Sequence, residues 1–144
     1  MRRLARFLAL PSAEQRLVLA AACLLAGVRL GLWILPFRRV HGAVGALASR
    51  PRPRAPSGPT IERIVWAVGA ANCLVPRTTC LVRALAAQAL LGRHGHTSEL
   101  RLGVAGGAGR AFEAHAWLEH DGRVLIGGPV EARYAPLPAL GSSR

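Results

Sequence analysis

Two residues of this 144-residue chain have the type and setting for nucleophilic attack on an amide, Cys80 and His115. Cys80 follows Thr78 and Thr79, either of which can cap a helix, so its thiol is expected in the opening turn. Unpaired backbone N–H groups and the positive end of the helix macrodipole there favour negative charge on sulfur, and the same N–H groups can hold an oxyanion. His115 lies in Glu113-Ala114-His115-Ala116-Trp117-Leu118-Glu119, a strand pattern whose small flanking residues let another element approach the imidazole. A thiol activated by a neighbouring imidazole is the Cys–His arrangement of acyl-transfer enzymes. Each residue also has a plain structural reading, since free cysteines often pack inertly and histidines are often satisfied in a core. Cys23 and Cys73 are expected to pack, and His94, His96 and His120 to be solvated.

A third group should orient the base. Asp121-Gly122 is the strongest hairpin signal, and a two-residue turn there sets His120 opposite Arg123, Glu119 opposite Val124 and His115 opposite Gly128. The natural place for an acid is then Gly127 or Gly128, where none stands. Asp121, the only aspartate, is better explained by the turn, and Glu119 shares the face of His115 but sits about 13 Å along the strand. Glu131 follows Pro129 and can fold back, and a backbone carbonyl or a water can serve instead. Glu131 and Asp121 are thus the candidate third members. Three cysteines with no CxxC pair argue against a disulfide framework or a structural zinc and fit a reducing cytoplasm. No metal is required.

The elements that must position this pair follow from punctuation and periodicity. Ser12 with Gln15 three residues later reads as a capping box opening a helix from about Ala13 to Leu35, before Pro36. That helix is apolar nearly all round and must be covered by something. Leu17 to Val28 alone is too short to span a bilayer, and extending to Phe37 places Arg29 inside, so buried or partner-packed helices are favoured over membrane-surface contact or a span. The proline-rich run Ser49 to Pro59 reads as a linker. It divides a helical region, 1–48, from a core, 60–144. Thr60 caps a helix over Ile61 to Cys73, and a further helix runs from Cys80 to about Gly92. Strands are expected at Glu99 to Ala105, Ala111 to His120 and Arg123 to Ile126. Helices followed by an antiparallel meander make an α+β fold.

The run Cys80-Leu81-Val82-Arg83-Ala84-Leu85, then Leu100-Arg101-Leu102-Gly103-Val104, then His115-Ala116-Trp117-Leu118-Glu119 and Asp121-Gly122-Arg123-Val124, resembles the leader peptidases of lasso-peptide biosynthesis. The Arg-rich N-terminus and Leu35-Pro36-Phe37-Arg38-Arg39 are similar to that family too. The resemblance implies a transglutaminase-like or papain-like cysteine protease core, with the nucleophile at a helix N-terminus packed on an antiparallel sheet. By position it implies Cys80 as nucleophile, His115 as base and a third member, typically Asp, at Gly127. It further implies that the chain removes the leader from a ribosomally made precursor peptide. Its partners would be a separate winged-helix-like recognition protein, for which this chain has no room, and an asparagine-synthetase-like cyclase. Some members of that family depend on ATP, but Gly103 to Gly109 lacks the Lys-Ser/Thr of a phosphate loop, so no intrinsic cofactor is expected. Transglutaminase or amidase chemistry on the same fold, or a membrane-associated scaffold within a biosynthetic complex, are the alternatives.

The charge sets the partners' sign. All 19 basic residues are Arg, giving a net charge of +12, which favours acidic peptides or anionic surfaces. The arginines are scattered, with no aromatic-interleaved patch, so nucleic acid is not expected. The expected location is cytoplasmic, with a membrane surface as a possible contact.

Overall fold

The computed structural model describes residues 2–50, 58–128 and 134–137. Among these, five helices precede a four-stranded antiparallel sheet, so the fold is α+β with the helices N-terminal. The helices are α1 (Arg2–Leu8), α2 (Ser12–Ile34), α3 (Phe37–Ala48), α4 (Ile61–Asn72) and α5 (Cys80–Arg93). The strands are β1 (Glu99–Gly107), β2 (Arg110–His120), β3 (Arg123–Ile126) and the two-residue β4 (Ala135–Pro136), in the spatial order β3-β2-β1-β4. Much of the expected linker, residues 51–57, lies outside the described residues.

α5 is the centre of the helical layer. Its many alanines leave no bulk between backbones, so α2, α3 and α4 pack against it while its other side meets β2. Ala84, Leu85, Ala86, Ala87, Ala89 and Leu91 are completely buried. The closest approach is at Gly92, where a β-carbon would stand 2.3 Å from that of Ala48 on α3. α2 contributes Leu17, Val18, Ala21, Leu25 and Val28 to the same core, and Glu14 pairs with Arg63 of α4.

The expected caps at Thr60 and Thr79 form, each hydroxyl accepting from the backbone N–H three residues on. The capping box at Ser12 does not. Pro11 is the N-cap, and the Gln15 amide instead reaches back to the carbonyls of Phe7, Leu8 and Leu10 around the end of α1. α2 is also less covered than its composition suggested. Leu19, Leu30, Trp33 and Ile34 are exposed, as is Cys23, and Cys73 beyond α4 is exposed too. With Arg29 included, this 23-residue helix is long and apolar enough to cross a membrane by length and composition, although its other side belongs to the core.

Candidate active site

Cys80 stands where its sequence placed it. It is the first residue of α5, half-buried, with Thr79 holding the helix end through Val82. The preceding loop is fixed by the Thr78 hydroxyl on Asn72 and by the Arg29 guanidinium donating to the Pro76 carbonyl at 2.7 Å. In front of the sulfur is an apolar cleft of about 290 Å³, whose walls include Phe37, Leu81, Leu102, Val104, Leu137 and residues 114–116 of β2. Cys80 and His115 therefore border one cleft.

Their side chains do not meet in it. Ala116 and Leu118 of β2 face the helices together with Leu100 of β1, so alternation turns His115 and Trp117 to the other face of the sheet. There the imidazole lies 5.2 Å from the Tyr134 ring and 6.1 Å from the Trp117 indole, centroid to centroid. Its Nε2 is 2.7 Å from the Gly127 carbonyl oxygen. A carbonyl only accepts, so Nε2 carries the proton and, in the neutral ring, Nδ1 holds the free lone pair. Among the described residues no hydrogen bond joins Cys80 to His115.

Gly127 thus reaches His115 through its backbone rather than a side chain. The plain hairpin register holds at His120↔Arg123 and Glu119↔Val124, but Leu118 then pairs with Ile126, leaving Leu125 as an extra residue. This bulge is why Gly128 does not stand opposite His115 as a two-residue turn alone predicts. It brings Gly127 across Trp117 at φ +116°, where a β-carbon would lie 2.5 Å from the Trp117 Cβ. No acid fits there in this conformation. Asp121 occupies the turn at φ 47°, beside the His120 imidazole at 3.3 Å, and so away from His115. Glu131 lies outside the described residues. Glu119 accepts from the Trp117 indole N–H at 2.7 Å and pairs with Arg101 at 3.5 Å.

Three participants were not singled out from sequence. Trp117 was legible, since it lies two residues from His115 on one strand and must share its face. Tyr134, whose hydroxyl donates to Glu113 at 3.4 Å, and Phe37 carry no such signal, because only β4 and α3 bring them near. His41 stacks on Phe37 at 5.5 Å behind the cleft. No group of His, Cys, Asp and Glu among the described residues could hold a metal ion.

Compared with known proteins, the chain matches a family model described as the transglutaminase-like superfamily over residues 9–139. No curated protein and no solved structure matches it. The matched span begins just after α1 and ends beyond β4, so it takes in α2 and α3 as well as the later helices and the sheet.

Proposed function

Because the chain belongs to the transglutaminase-like superfamily, whose fold suits cysteine proteases and related acyl transfer, we propose that it is a cysteine peptidase that removes the leader from a ribosomally made precursor peptide, as in lasso-peptide maturation. The observation that carries this reading is a half-buried cysteine at the capped N-terminus of α5, facing an apolar cleft bordered by His115. In the proposed reaction Nδ1 of His115 takes the thiol proton and Sγ of Cys80 attacks the scissile carbonyl. The proton passes to the leaving amine, and water then cleaves the thioester and regenerates the thiol. The Gly127 carbonyl fixes the tautomer with Nδ1 unprotonated in the neutral ring, while holding the ring on the face of the sheet away from Cys80. Proton transfer requires the imidazole within hydrogen-bond reach of the thiol, so the reaction needs a rearrangement that releases His115 from the Gly127 carbonyl and brings it to the cleft. The precursor would be delivered by a separate recognition protein and the product passed to a cyclase.

The placement of the imidazole on the outer face favours one second reading, a non-catalytic scaffold of the same complex. Mass spectrometry of a cognate precursor, incubated with its recognition protein and either this chain or its Cys80→Ala variant, separates the two. Cleavage by wild type alone supports the peptidase. Equal cleavage by both removes Cys80 as nucleophile, and absence of cleavage by either turns to the scaffold.

A further inference from the structure

A second, larger groove of about 620 Å³ opens on the other side of the start of α5. Leu30 and Trp33 of α2 form one wall and Val75 and Arg77 the other, with Thr79 and Val82 also lining it. Trp33 is 84% exposed, an unusual degree for so large an aromatic side chain. Two guanidiniums border this apolar space. Arg29 is anchored on the Pro76 carbonyl, and Arg77 is held at φ 58° in the loop. Neither pairs with a carboxylate among the described residues.

We propose that this groove binds the peptide substrate through a segment in which a large apolar side chain lies beside a carboxylate, and that it leads that segment to Cys80. This rests on the peptidase reading above for the identity of the bound chain. Apolar walls bury the side chain, and the two uncompensated guanidiniums select an anion over a neutral or basic neighbour. Thr79 ties the groove to the site: it lines the groove and is the residue before Cys80. A lipid surface shares the attraction to Trp and Arg, but a flat bilayer does not follow a concave groove that ends at the head of a helix.

The test measures binding apart from cleavage, on the Cys80→Ala chain, by anisotropy of short fluorescent peptides that differ at one pair: Leu-Glu, Leu-Gln or Ser-Glu. The Leu-Glu peptide is expected to bind about tenfold more tightly than either of the others. Arg77→Gly, which suits the φ of 58° and so leaves the loop fold intact, abolishes the preference for Glu over Gln. Trp33→Ser, at an exposed position, abolishes the preference for Leu over Ser. Equal binding of all three peptides overturns the proposal. So does loss of binding to phosphatidylglycerol vesicles in both variants without any peptide preference, which assigns the surface to lipid. Cleavage of the precursor by wild type with no peptide preference removes the groove alone. Selective binding with no cleavage upholds the groove and removes the peptidase.

Discussion

At the scale of single residues, the relation between Cys80 and His115 decides the chemistry. If the imidazole takes the thiol proton, His115→Ala lowers the cleavage rate by about 10²–10⁴-fold, the usual contribution of a general base. In the free chain the imidazole lies on the other face of the sheet, so the same substitution is expected to leave alkylation of Cys80 by iodoacetamide unchanged. Because Cys23 and Cys73 are exposed and react as well, alkylation is read by peptide-resolved mass spectrometry or in a Cys23→Ser/Cys73→Ser background. An unchanged cleavage rate in His115→Ala would place His115 outside the reaction, whereas slower alkylation would show that the imidazole reaches the thiol without substrate. Gly127 offers a second test. Restoring an aspartate there, Gly127→Asp, is expected to lower both activity and thermal stability, because its β-carbon would collide with Trp117 and φ +116° strains any side chain. A gain of activity would show that the carbonyl is a poor substitute and that the segment can move to admit the acid.

Among the elements, α5 carries the site and its packing is tight enough to be probed. Gly92→Ala places a methyl within 2.8 Å of three atoms of Ala48, two of them backbone, so α3 and α5 must separate. A loss of about 1–3 kcal/mol by urea unfolding is expected, the range for overpacking a close contact. α4 provides a pH handle through Glu62. Hydrogen bonding to its own backbone N–H, and then to the Thr60 hydroxyl, holds this carboxyl below its ordinary value. A depressed folded-state value stabilises the fold above the unfolded-state pKa, and that contribution is lost as pH falls through the folded-state value. Glu62→Gln should therefore lower Tm at neutral pH, with the difference from wild type closing in acid. A difference that persists at the lowest pH would mean that the side chain acts by packing.

For the whole molecule, the question is whether the N-terminal helices are an appendage or part of the fold. Leu25 and Ala21 of α2 are completely buried in the same cluster as Ile64 of α4 and Leu85 of α5. A chain beginning at Thr60 would expose that surface, so it is expected to be recovered as aggregate or to lack a cooperative melt by circular dichroism. A soluble fragment that melts cooperatively would support the division into a helical region, 1–48, and an independent core, 60–144.

Much of this was legible in the sequence, because it depends on local physics. Helix caps at Thr60 and Thr79, the turn at Asp121-Gly122 and the order of helices before strands all follow from side chains acting on their own backbone. The position of Cys80 at a helix start is of the same kind. What only the tertiary structure decided depends on residues distant along the chain. Gln15 left its expected capping role because the end of α1 offered three carbonyls. The extra residue at Leu125 shifted the strand register, which no turn signal encodes, and so set Gly127's carbonyl rather than a side chain against His115. The face on which His115 lies was fixed by alternation once Ala116 and Leu118 were buried against the helices, and burial is a property of the assembled layers.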